Sequence, residues 1–185
     1  IVKIVIGVVT FVLSVRIIQQ YKTCIVFRLG KYSRILKPGL HFVIPLIEWT
    51  RSIDMRISTT EISKQTAITK DNVTVSINGV LYFQVVSAET AVIKVQDFFH
   101  AISQYAQAAL RDIIGGMTLD DLLSERQKIG EEIESITQKQ AENWGLKVTA
   151  IKLLDIDMSE DLRKIMSRQA SAEREKRATV VKAEG

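Results

Sequence analysis

The sequence predicts an α+β domain preceded by a membrane segment and followed by the start of a long, coiled-coil-like helix. Three observations carry that prediction. Residues 73–85 alternate apolar and polar side chains with period two, which marks a half-buried strand. From Ala88 onward the apolar residues recur at three- and four-residue steps, which marks one side of a helix. The opening eighteen residues hold an uncharged apolar run, whereas the last stretch is dense in charge and alanine.

Composition narrows the function classes. The chain has 185 residues, 46% apolar and 25% charged, so it affords a real core and is neither a disordered polyelectrolyte nor a multi-span membrane protein. Its single cysteine excludes an internal disulfide framework. The net charge of +4 raises nucleic acid as a partner, but its distribution argues otherwise. Residues 1–47 carry seven basic side chains and no acid, while residues 48–185 carry 18 basic and 21 acidic ones. The positive excess belongs to the greasy end, where basic residues beside a membrane segment attract anionic lipid at about 1 kcal/mol each. Membrane lipid is therefore the expected partner, and nucleic acid is not.

The apolar run between Lys3 and Arg16 is twelve residues long. That is short of the roughly 20 needed for a helical span. Taken alone it also fits a core strand or the apolar part of a cleaved signal. Because the chain starts with Ile1, upstream residues would complete a span, with Ile17 and Ile18 extending it as Arg16 snorkels. The expected anchor is 1–18, with Ile4, Val5, Ile6, Val8, Val9, Phe11, Val12, Leu13, Ile17 and Ile18 in lipid, and Arg16 and Lys22 at the head groups. A domain over 19–158 and an assembling helix from 159–185 follow.

Within the domain, 19–27 reads as a strand and 28–36 as a basic connection leading to a Lys37-Pro38-Gly39 turn. The apolar stretch that follows is interrupted by Pro45, which a central strand does not admit. It reads as an edge strand on the core or as a loop dipping into the membrane interface, with Phe42, Val43, Ile44, Leu46, Ile47 and Trp49 as the interfacial residues. In the strand at 73–85, Gly79 falls on the apolar face and signals a bulge or a close approach. Phe98, Ile102, Tyr105, Ala109 and Ile113 define a helix ending at Gly115-Gly116. Thr118 begins a capping box, and Ser124 offers a second cap. Ile129, Ile133 and Ile136 stripe the next helix up to Gly145, and residues 146–158 form a last strand. In the final helix Leu162, Ile165, Met166, Gln169 and Ala172 keep heptad-like spacing. That face is too narrow to bury alone, so the helix is either solvated or paired with copies of itself.

Several of these pieces carry a family resemblance. Phe27-Arg28-Leu29-Gly30, Lys37-Pro38-Gly39-Leu40 with Pro45, and Asp54-Met55-Arg56 open the series. It continues through Thr69-Lys70-Asp71-Asn72-Val73, Ser124-Glu125-Arg126, Trp144-Gly145-Leu146-Lys147-Val148 and Ala183-Glu184-Gly185. In order and spacing they resemble a stomatin-type member of the SPFH family of stomatins, prohibitins and flotillins. The resemblance implies an SPFH (prohibitin-homology) domain at a plasma membrane or a bacterial or archaeal cell membrane, with a helix assembling many copies into a ring or cage. Its implied clients are membrane proteases, NfeD-type partners or channels. Eukaryotic stomatins carry a proline in this anchor; residues 1–18 have none, which favours a straight span. The basic collar weakly favours a cytoplasmic face.

No cofactor is implied, and the motifs of common enzymes are missing from the sequence: no HExxH, no G-x-S-x-G and no phosphate loop. A membrane-tethered hydrolase using Cys24 with His41 or His100, or the strand-end pair Asp155 and Asp157, is the alternative reading. The favoured one is a non-enzymatic scaffold that organises a membrane microdomain and regulates the proteins it encloses. A palmitoyl site is the other role open to Cys24.

Overall fold

The computed structural model describes residues 14–184, without the side chains of Gln169, Ala170, Glu173 and Glu184. The expected lipid residues Ile4 to Leu13 lie outside the described residues. Two cores organise the rest.

The smaller core lies between a two-stranded sheet and a three-stranded one. β1 (Val15–Ile18) pairs antiparallel with β4 (Gly39–Phe42), and β2 (Lys22–Arg28) pairs antiparallel with both β3 (Lys31–Leu36) and β5 (Glu48–Asp54). Ile18, Val26, Leu36 and Val43 close on one another between these layers. The larger core is built on β6 (Ser58–Ile68), β7 (Thr74–Val85) and β8 (Leu146–Met158), a meander in space with β7 central. One face of β7 buries Val75, Ile77, Leu81, Phe83 and Val85 at every second position, as period two requires. Four helices follow β7: α1 (Ala88–Lys94), α2 (Phe98–Gly116), α3 (Leu119–Ser124) and α4 (Arg126–Asn143). Ile102, Ala106, Leu110 and Ile114 of α2 and Ile129 and Ile133 of α4 bring their buried stripes into that core. Alternate residues of β2 serve different cores: Ile25 joins the larger one and Val26 the smaller.

Gly79 fulfils both expectations at once. The pairing of β7 with β6 and with β8 shifts register between Ile77 and Gly79, and a Cβ at Gly79 would stand 2.9 Å from the Lys152 carbonyl oxygen. Thr118 caps α3 by accepting the Asp121 N–H. Ser124 does not cap α4; its hydroxyl turns back to the Asp120 carbonyl, and the cap position falls to Glu125 without a side-chain bond. Gly115 and Gly116 lie inside the last turn of α2, and Met117 ends the helix.

Other expectations are corrected outright. The segment 28–36 is not a connection but a tight hairpin, with Leu29 (φ 50°) and Gly30 (φ 81°) at its turn and β3 as its second arm. Strand β6 was not anticipated. Ile18 is 7% exposed and belongs to the small core, so it is not a lipid-facing residue, and the folded part reaches back to β1 rather than starting at 19. Val43, 6% exposed, is likewise core and not interfacial. The last helix, α5 (Glu160–Glu184), leaves β8 directly. Its first turns bring Leu162 and Met166 against the domain's own larger core, which takes both from a face reserved for other copies. Among the described residues, no helix is long and apolar enough to cross a membrane.

Candidate membrane-docking face

The segment between β4 and β5 is an apolar loop tied down by polar contacts on its inner side. Arg34 donates through Nη2 to the Phe42 carbonyl at 3.1 Å, and the Val43 N–H donates to the Ser14 carbonyl at 2.8 Å. The Ile44 N–H reaches Glu48 Oε2 at 3.1 Å, and the Glu48 N–H returns to the Ile44 carbonyl at 2.9 Å. Leu29, at the β2–β3 turn, donates its N–H to the Ile47 carbonyl at 3.0 Å. Pro45 and Leu46 form the tip, and Leu46 is fully exposed at φ 72°, a left-handed conformation rare for a branched side chain.

Around the tip the apolar side chains point outward. Phe42, Ile44 and Ile47 are about half exposed, Leu29 largely so, and Trp49 is 71% exposed beside Phe27, their rings 6.4 Å apart. The chain arrives at this same end, because Ser14 is bonded to Val43.

Glu48 is the hub of the arrangement. Its side chain is wholly buried and accepts from Arg28 Nε and Nη2 at 3.1 and 2.8 Å, and from Arg34 Nη1 and Nη2 at 2.7 and 3.0 Å. The Arg34 hydrogen bond, then the Ile44 N–H and Arg28, hold its carboxyl at about 2 against the opposing effect of burial. A carboxyl lowered in the folded state stabilises the fold fully above its ordinary range near 4.5 and loses that contribution as pH falls toward 2. Urea midpoints of the wild type and of Glu48→Gln are accordingly expected to differ at pH 6 and to converge as pH falls through that window. A constant gap down to pH 2 would contradict the hub.

Residues 16–185 match the SPFH domain / Band 7 family. Over 171 residues the chain is 40% identical to a stomatin homolog of Pyrococcus horikoshii, covering 92% of this chain and 64% of that protein. It is 37% identical over 183 residues to stomatin-like protein 3 of Mus musculus, covering 96% of this chain and 64% of that one. An uncharacterized protein of Archaeoglobus fulgidus is 44% identical over 179 residues, covering 96% and 72%. The chain is a stomatin-type member of the SPFH family. It spans just under two thirds of the named stomatin relatives.

Within this SPFH domain the remaining predicted residues fall at several places. Arg16 is exposed on β1 opposite His41, and Lys22 opens β2 with its ammonium 5.5 Å from the Tyr21 ring. Ile17 is exposed and Ile165 and Ala172 are exposed on α5, while the Gln169 side chain lies outside the described residues. Cys24 packs half-buried against the small core. His41 Nε2 stands 2.8 Å from the Lys37 carbonyl. Asp157 pairs with Lys64 at 2.5 Å and lies 3.8 Å from Arg163. The Lys64 bond holds its carboxyl below the usual range. Cys24 and the two aspartates stand in different sheets. Leu29 and Glu48 were missed from the sequence. An isolated leucine before a turn glycine carries little signal, but Glu48 has one: it is the first acid after seven basic residues.

Proposed function

We propose that the protein is a non-enzymatic, membrane-anchored scaffold that assembles through α5 into a ring or cage, organises a membrane microdomain and regulates membrane proteins held inside it. The observation that carries the membrane part is the strained, tied-down loop presenting Phe42, Ile44 and Leu46 outward beside Ser14. Membership of the stomatin-type SPFH family supports a membrane location. A membrane protease, an NfeD-type partner or a channel is the kind of client this reading assigns, on the cytoplasmic face. Many copies held together would bind bilayer with avidity that single contacts lack.

The loop is tested with the chain from residue 14 onward, so that the anchor does not mask it. Phe42→Asp with Ile44→Asp is expected to release it from liposomes, losing about 2–3 kcal/mol of apolar burial and on the order of fiftyfold in affinity, with an unchanged melting curve. Unfolding would show that both residues serve the core, and unchanged binding would show that the loop does not dock. Sedimentation of the intact protein in native-like detergent tests the assembly, which a monomer at every concentration would overturn.

A further inference from the structure

The sandwich of the small core is closed at the Glu48 end and open at the other. There a cleft of about 300 Å³ runs between β1 and the β2–β5 face. Pairing of Cys24 with Ser52 and of Val26 with Thr50 puts the Cys24 thiol and the two hydroxyls on one face, which forms the polar floor. Arg16 and Lys22 flank it, and Ile18 and Leu36 form its apolar back wall. Thr50, Ser52 and Arg16 make no side-chain hydrogen bond among the described residues, and no acidic residue lines the cleft. The nearest carboxylate along β5, Asp54, stands opposite Lys22 across β2–β5 and is bonded to Arg56 at 2.6 Å, so Arg16 is the cation of the cleft that faces no acid across its strand pair.

We propose that this cleft binds a phosphomonoester. Arg16 and the two unbonded hydroxyls, with the Lys22 ammonium and the Gln19 amide beside them, match a terminal phosphate, which offers three acceptor oxygens and up to two charges, better than a phosphodiester with one charge. The phosphate chemistry of the cleft does not rest on the docking face described above, and phosphatidic acid serves as the phosphomonoester probe.

Cys24 is the only cysteine in the chain and lines the cleft, so its alkylation reports occupancy directly. The full chain in neutral detergent micelles is treated with iodoacetamide in the presence of dioctanoyl phosphatidic acid, dioctanoyl phosphatidylglycerol or inorganic phosphate. Phosphatidic acid is expected to slow the reaction at least fivefold at concentrations where phosphatidylglycerol has no effect. Thr50→Val with Ser52→Ala, which leaves the charge unchanged, is expected to remove that protection, and Arg16→Gln is the second variant should the pair fail to fold. Protection by inorganic phosphate as strong as by phosphatidic acid would keep the phosphate site and assign it to a free anion. Equal protection by both lipids, no protection, or protection that survives the variants would overturn the proposal. Liposome binding by the Phe42 and Ile44 variants reads the docking face independently, so either idea fails alone.

Discussion

Gly145→Ala is expected to cost about 3–4 kcal/mol, combining left-handed strain with overpacking. The residue sits at φ 71°, and a Cβ would stand 2.7 Å from the Ser87 carbonyl oxygen and 2.9 Å from the Cβ atoms of Ser87 and Thr90. None of these neighbours is the free end of a flexible side chain. The Gly145 carbonyl accepts the N–H groups of Val86 and Ser87, and Ser87 in turn caps α1 by accepting from Thr90. One glycine thus joins the end of α4, the start of β8 and the entry to α1, so displacement there is shared by three elements. For a domain of this size the melting temperature should fall by about 10 °C. Gly115→Ala is the control: it lies within α2 with nothing inside 4 Å of its would-be Cβ, and is expected to stabilise by about 0.5–1 kcal/mol. Equal melting temperatures for Gly145→Ala and wild type would contradict the junction.

Where the sequence was legible, burial had left a periodic trace. β7, α2 and β8 each bury a regular subset of side chains, and their pattern survives in the residue types. β6 and β3 leave almost none. Among the eleven residues of β6 only Ile62 and Ala67 are buried, and β3 buries only Leu36. Both lie at the edges of their sheets, where one neighbouring strand suffices and polar residues are tolerated. The apolar loop was visible as greasy residues around Pro45, but which of them face inward depends on pairing across distance. Val43 is core because its N–H is fixed to Ser14, and Ile18 is core because β1 folds back onto β4; neither contact has a local signature. The same holds for Glu48, whose partners lie 20 and 14 residues away.

Glu48→Gln separates two physical explanations of membrane binding, because they predict opposite signs. If the face binds anionic vesicles chiefly through its basic residues, removing one negative charge should tighten the interaction by about 1 kcal/mol or less. If binding depends on a loop held ready by Glu48, the substitution should weaken it. The amide loses the charge that holds Arg28 and Arg34 together, and the Ile44 N–H loses its carboxylate acceptor. Both guanidiniums are partly exposed and regain water, so the loss of stability is about 2–3 kcal/mol, below the full cost of stranding a buried charge. That loss falls on the small core first, since its four apolar side chains have little else to hold them. Ordering residues 42–47 anew at the bilayer then costs on the order of 1.4 kcal/mol, and vesicle affinity of the chain from residue 14 should drop about tenfold. Lys31→Gln, which removes a positive charge at the exposed start of β3, is the electrostatic comparison and should weaken binding only severalfold, an effect that salt removes. Tighter binding by Glu48→Gln would show that charge, not a prepared loop, brings this domain to the membrane.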